Sequence, residues 1–296
     1  MRALLLTAAA MIGFSANSLL TRGALGSGRM DPAAFTAVRL VTGALTLAML
    51  AKFRADRSTS GGSWGSALAL AGYAIFFTLA YARIGAGVGA LMQFGAVQIT
   101  MIGTGLVRGE RPRRLDWLGV ALAAAGLCAF TIRGDSAPPL VGAALMVLAG
   151  VSWGVYSLAG RRSRDPLGTT SGNFSRAAVI GVAFLLVSVP FQSVVTPSGV
   201  ALAAASGSLA SGLGYTIWYS VLPNLTAWRA AVVQLAVPIL TALAATVVLH
   251  EVFTTRLAIA TILATLALAS APPLWLVVGA IVGIGFLDRK STRLNS

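Results

Sequence analysis

From Ala3 to beyond Leu257 the chain returns repeatedly to uncharged apolar stretches of about twenty residues, the length a helix needs to cross the hydrocarbon of a bilayer. Ten of them are expected to be helices: Ala3 to Leu20, Pro32 to Ala51, Trp64 to Ala80, Ala86 to Val107, Leu115 to Ile132, Leu140 to Ala159, Gly172 to Val189, Gly199 to Leu222, Ala227 to Leu249, and one beginning at Leu257. A membrane β-barrel would show segments of about ten residues with alternating polarity, whereas these runs are apolar all round. Composition agrees, because 57% hydrophobic against 10% charged residues inverts the balance of a soluble domain. The expected fold is therefore an all-α integral membrane protein with ten transmembrane helices.

The net charge of +14 first suggests a polyanionic partner, so the positions of the cations matter. With the N-terminus inside, 15 of the 22 basic residues fall on the cytoplasmic side, clustered at Lys52 to Arg57, Arg108 to Arg114, Arg161 to Arg164 and Arg289 to Arg293. Five fall on the other side: Arg22, Arg29, Arg83, Arg133 and Arg256. That asymmetry follows the positive-inside rule, so the charge orients the protein and requires no nucleic acid. A bacterial inner membrane with both termini cytoplasmic is expected. The single cysteine, Cys128, is mid-span and reads as a packing residue. No cofactor or metal is expected, since the chain has one histidine, no HExxH and no acidic pair at membrane depth. Met1 to Ser18 has the look of a signal peptide, and the polar tail DRKSTRLNS, unlike anything before it, reads as a non-native addition.

The two halves resemble each other. Setting Ala90 to Glu110 against Ala231 to Glu251 places Gln93 on Gln234 and Glu110 on Glu251 without a gap. Tyr73, Phe76 and Phe77 fall on Tyr215, Trp218 and Tyr219; Phe14, Ser18 and Arg22 fall on Trp153, Ser157 and Arg161. Asp31-Pro32 is echoed by Asp165-Pro166. The pattern implies a duplication with units at 1–136 and 137–287 and a tail at 288–296; the match of Ala3 to Leu20 with a later helix makes that segment the first span rather than a leader. Five spans per unit would give inverted repeats, the arrangement that places a substrate site near the midplane.

The helix ends LVRGE and VLHE, the segment GVSWGVYSLAGRR and the segment GYTIWYSVLPNLTAWRAAVVQLAVPIL resemble the EamA-type carriers of the drug/metabolite transporter superfamily, over Ala3 to about Ala271. The resemblance implies export of amino acids, other small metabolites or drugs, with sugar phosphates and nucleotide sugars carried by some relatives.

Several polar or aromatic residues stand at membrane depth. Pro238 lacks the amide proton that would bond the carbonyl of Gln234, so the run VVQLAVPIL is expected to bend and to free that carbonyl. Gln93, its counterpart, lies in a run without a proline. Tyr73 and Phe76, like Tyr215 and Trp218, share helix faces at a spacing of three or four. Trp218 and Tyr219 are close enough to a span end to suggest an interfacial belt. Trp153 and Tyr156 share another face, opposite Asn17 in the alignment. Substrate contact is expected from Asn17, Tyr73, Phe76, Gln93, Trp153, Tyr156, Tyr215, Gln234 and Pro238, with interhelical hydrogen bonding as the competing role. Arg39 and Arg176 are anion contacts or interfacial anchors; Arg39 is about 10 Å into its span, within snorkelling reach. Glu110 and Glu251 close their spans, with Arg108 and Arg111 near Glu110. Gly85 and Gly89, Gly279 and Gly283, and Gly207 with Ser211 are small-residue pairs that admit close helix packing.

The expected function is a secondary carrier for small organic solutes, working by alternating access without a proton-coupling carboxylate. The alternatives are a multidrug exporter, a lipid scramblase or flippase on the same fold, and a membrane enzyme, which lacks its motifs. Partners are a small-molecule substrate and membrane lipids; monomer and homodimer both stay open.

Overall fold

Apolar runs become helices where a capping residue or a proline opens them. A computed structural model describes residues 2–53, 61–111, 138–191 and 194–252, with Trp117, Ala121 and six positions between 254 and 263. The helices are α1 (Arg2–Leu25), α2 (Pro32–Lys52), α3 (Trp64–Tyr81), α4 (Ala86–Val107), α5 (Leu140–Gly160), α6 (Pro166–Ser188), α7 (Pro197–Ala205), α8 (Gly214–Val221), α9 (Ala227–Val233) and α10 (Ala236–Val248). A π-helical segment, Ser206–Leu213, joins α7 to α8, and a 3₁₀ turn, Leu222–Asn224, follows α8. Proline occupies the first turn of α2, α6 and α7, where its missing N–H would be unpaired in any case. Ser63, Asp165, Thr196 and Thr226 cap α3, α6, α7 and α9 through their side-chain oxygens.

The count corrects the sequence expectation. Among the described residues eight helical stretches, not ten, are long and apolar enough to cross a membrane, with α7 to the 3₁₀ turn forming one and α9 with α10 another. The larger number was read from apolar length over the whole sequence. The expected spans Leu115 to Ile132 and that beginning at Leu257 lie outside the described residues, as do Cys128, Gly279, Gly283 and the tail. Among the described residues each half contributes four spans rather than five, so the arrangement of ten helices in two inverted five-helix repeats does not hold; what the described residues form is an all-α multi-pass membrane fold with eight candidate spans. Its outward faces suit lipid: Leu45, Ile99, Val107, Val187 and Val247 are large, apolar and exposed.

The helices interleave. α2 packs along α6 and the π segment, α3 and α4 along α5, α1 against α8 and α10, and α4 against α9 and α10. Glycine makes the closest approaches possible: a Cβ at Gly207 would strike the Arg39 carbonyl and Thr42, and one at Gly150 would strike the Gln93 carbonyl.

The ninth expected span is two helices. α9 ends at Val233 and α10 begins at Ala236, as the bend at Pro238 demands. The Gln234 carbonyl is nevertheless not free, because it accepts the Val237 N–H at 3.0 Å. The chain tightens into a three-residue turn and re-satisfies the acceptor that proline leaves open. α4, without a proline, runs unbroken.

Candidate functional site

Interior turns of α1, α2, α3, α5 and α8 converge on a buried aromatic and polar cluster. Trp153 lies 4.6 Å from Tyr215, 5.0 Å from Tyr73 and 5.1 Å from Phe14, centroid to centroid. Tyr156 adds a second shelf, 5.6 Å from Trp153 and stacked on Tyr219 at 4.9 Å. All of these are within the range of favourable ring pairs. An enclosed void of about 10 Å³, room for about one water, lies among Phe14, Ser18, Tyr73, Gln93, Phe94, Trp153 and Tyr215.

Polar groups bind this cluster together. Arg39 Nη2 donates to the Tyr215 hydroxyl at 2.6 Å and to the Tyr73 hydroxyl at 3.3 Å, while Nε donates to Ser211 Oγ at 3.0 Å. Its guanidinium also lies over the Tyr73 and Phe77 rings, 5.1 and 5.2 Å from their centroids. Asn17 Nδ2 donates to the Tyr73 hydroxyl at 3.0 Å, and Asn17 Oδ1 accepts Ser206 Oγ–H at 2.6 Å. Gln234 Oε1 accepts the Trp153 indole N–H at 2.7 Å, and its Nε2 donates to the Ala230 carbonyl at 2.9 Å.

The structure distributes the expected site residues unevenly. Asn17, Tyr73, Trp153, Tyr156 and Tyr215 meet in one place, and Gln234 holds Trp153 from behind. Gln93 lines the void, and its Oε1 is buried without a hydrogen-bond partner among the described residues. Phe76 is only half-buried and Phe77 takes its place beside Arg39. Pro238 is buried in α10 and sets the bend. Arg39 does not snorkel: it is 1% exposed, turned inward by the tight α2 contact at Gly207. Arg176 stays near its helix start, donating to the Gly61 and Gly172 carbonyls beside Trp64, as an anchor would. Trp218 and Tyr219 form no interfacial belt; both are fully buried, donating to Ser157 Oγ and the Tyr156 carbonyl. Sequence reading missed Ser206 and took Ser211 only as a small packing residue, whereas the π segment aims both at Asn17 and Arg39. Small residues in the run SGSLASG were the one available signal.

Two carboxylates close the ends of this core. Glu251 accepts the Ala86 N–H at the start of α4 (3.0 and 2.9 Å) and pairs with Arg22 at 3.1 Å. Glu110 accepts the Ala227 N–H at the start of α9 (3.2 and 3.0 Å) and pairs with Arg161 at 3.0 Å. Its partner is thus Arg161 rather than the neighbouring Arg108 or Arg111. The same three aligned positions make both constellations. Ala86 and Glu110 flank α4, 22 residues or about 33 Å long, so the latches are at opposite ends of the molecule. A carboxylate on a helix N-terminus with a guanidinium partner is a charge-assisted clasp. Beside each latch is a surface cleft. One of 480 Å³ is lined by Arg22, Arg29 and Glu251; one of 750 Å³, beside the other, is lined by Arg108, Arg162, Arg164 and Asp165.

The EamA-like transporter family matches this chain twice, over residues 1–132 and 140–271. The chain belongs to that family. Among relatives of this EamA-like transporter, a Pseudomonas aeruginosa protein described as uncharacterized is 48% identical over 276 residues, covering 92% of this chain and 96% of its own. An Archaeoglobus fulgidus protein described as an uncharacterized transporter is 29% identical over 244 residues, covering 77% and 83%. A crystal structure with 21% identity shares the fold, with a TM-score of 0.72 over 93% of this chain and 98% of that one. As an EamA-like transporter, the protein is membrane-embedded and acts by transport rather than catalysis. Among the described residues no group of three or more His, Cys, Asp or Glu is placed to hold a metal ion.

Proposed function

We propose that this EamA-like transporter exports small organic metabolites, amino acids or similar solutes, across a bacterial inner membrane by alternating access. The observation that carries the reading is the buried cluster of Asn17, Tyr73, Trp153, Tyr156 and Tyr215, midway between two latched ends. Residues 1–136 and 137–287 act as two units whose relative motion opens one latch while the other holds. Gln93, whose side-chain Oε1 has no hydrogen-bond partner among the described residues, contributes an acceptor for a solute N–H or O–H. Gln234 positions Trp153. The positive-inside bias favours a cytoplasmic N-terminus, and the four spans α1 to α4 then return the chain to that side, which makes the Glu110 latch the cytoplasmic one. Among the described residues no carboxylate or histidine lies within a span interior, which favours exchange or facilitated diffusion over proton coupling.

Reconstitution in liposomes tests this reading. Loaded amino acids, nucleosides and cationic drugs are screened for trans-stimulated efflux, and at least one is expected to move saturably. Failure of every solute, together with exchange of labelled lipid between leaflets, would replace the carrier with a scramblase. Gln234→Leu is expected to slow the transported solute at least about fivefold, the equivalent of about 1 kcal/mol in the barrier, while leaving insertion intact. Full-rate transport by the folded variant would return Gln234 to a packing role.

A further inference from the structure

A guanidinium sealed inside a membrane protein calls for an anion, and Arg39 has none among the described residues. Neither ion pair found there includes it. Its contacts are hydroxyls and ring faces, and its Nη1 is buried without any hydrogen-bond partner. A permanent charge at a helix centre costs about 2.5 to 3.5 kcal/mol in a bilayer even when it can snorkel, and Arg39 does not. One branch runs from Arg39 Nε through Ser211 to Asn17 Oδ1, an acceptor that ends it. The other runs from Arg39 Nη2 to the Tyr215 and Tyr73 hydroxyls, which hydrogen-bond each other at 3.2 Å. The cluster therefore holds an unused donor at Arg39 Nη1, with two hydroxyls beside the guanidinium, and no negative charge among the described residues. A guanidinium with hydroxyls at its side matches a carboxylate.

Resting on the carrier reading above, we propose that the transported solute is an organic anion whose carboxylate docks on Arg39 and the Tyr73 hydroxyl, with its apolar body between Trp153 and Tyr215. The flanking clefts have the matching sign. Two arginines face one carboxylate at one end and three face one at the other, a field that concentrates anions and disfavours cations. The void of about 10 Å³ is too small for any carboxylate, so binding draws on a conformation in which Tyr215 has parted from Tyr73 and Trp153, whose ring centroids lie 6.3 and 4.6 Å from its own.

The test is direct binding to the purified full-length protein, followed by tryptophan fluorescence, with three aromatic probes of similar size that differ in charge: benzoate, benzamide and benzylammonium. Benzoate is expected to bind saturably and at least about tenfold more tightly than the other two, about 1.4 kcal/mol. Arg39→Gln should bring benzoate to the level of benzamide, and Arg39→Lys should restore part of the difference. Tyr73→Phe, which keeps the ring and removes one donor, should weaken benzoate several-fold and leave benzamide unchanged; it serves if Arg39→Gln does not fold. Equal or tighter binding of benzamide or benzylammonium, no saturable benzoate binding, or benzoate binding indifferent to a folded Arg39→Gln or Tyr73→Phe protein would overturn the proposal. Liposomes separate the two readings: neutral or cationic solutes transported by a protein that ignores benzoate would sink the anion site alone, and benzoate binding without movement of any solute would sink the carrier alone.

Discussion

His250 holds a left-handed backbone, φ 54°, at the position aligned with Gly109, whose φ is 82°. Both residues turn the chain back after a helix so that the next residue, Glu251 or Glu110, reaches its latch. The Glu110 N–H returns to the Gly105 carbonyl at 2.9 Å and the Glu251 N–H to the Ala245 carbonyl at 3.2 Å. A side chain in that conformation costs about 1 to 2 kcal/mol, which glycine avoids. His250→Gly is therefore expected to raise thermal stability by about 1 kcal/mol, measured as an upward shift of the unfolding midpoint in detergent. A lowered midpoint would mean that the imidazole makes a contact worth more than the strain. Gln234 is the opposite case, a residue whose side chain is fully used. Gln234→Leu leaves the Trp153 indole N–H unpaired in a buried site and should lower stability by about 1 to 3 kcal/mol on the same assay. Residue identities were readable along the chain, but their pairings were not. Gln234 was expected to bring a free carbonyl, whereas the turn at Val237 consumes that carbonyl and the amide instead grips an indole from α5. Arg39 was judged by depth, which says how far a side chain must reach but not which way its helix is rotated.

At the level of elements, the π segment Ser206–Leu213 has the widest reach. Its wider winding rotates Ser206 and Ser211 onto one face, against Asn17 and Arg39, and Gly207 lets α2 close on it. Gly207→Val would drive a branched side chain into the Arg39 carbonyl and Thr42; a loss of at least about 1 to 3 kcal/mol is expected, together with loss of the Arg39–Ser211 contact. Nothing in apolar length announces a π helix, because periodicity over eight residues cannot separate it from an α turn. The proline break between α9 and α10 was legible, since proline acts through its own missing N–H. The latches were half legible: the alignment paired Glu110 with Glu251 and Arg22 with Arg161, but contacts joining distant helices belong to tertiary packing. Each carboxylate caps a helix N-terminus, worth about 1 kcal/mol as a charge. Glu251→Gln should speed amide exchange at Ala86, and Glu110→Gln at Ala227, by roughly fivefold in peptide-resolved hydrogen exchange. Unchanged exchange at both amides would show that neither charge holds its end closed.

On the scale of the whole molecule, the eight candidate spans interleave so that the first four helices pack mainly on later ones. Membrane class and the identity of the aromatic faces could be read from length, composition and spacing, because lipid imposes those directly. The number of spans was read as ten from apolar length over the whole sequence, whereas eight stand among the described residues. Aromatic stripes were legible as faces, but not as inward ones: Trp218 and Tyr219 suited an interfacial belt by position, yet they continue the face of Tyr215 into the core. Alternating access requires the buried cluster to open in turn to each side of the membrane. Ser18, 1% exposed, lines the void at its heart. The decisive measurement is labelling of a Ser18→Cys thiol, in a Cys128→Ala background, by a membrane-impermeant reagent applied to either face of sealed vesicles. Labelling from both faces, slowed on both by a transported solute, is expected; labelling from one face alone, or from neither, in a protein that still transports would rule out alternating access at this cluster.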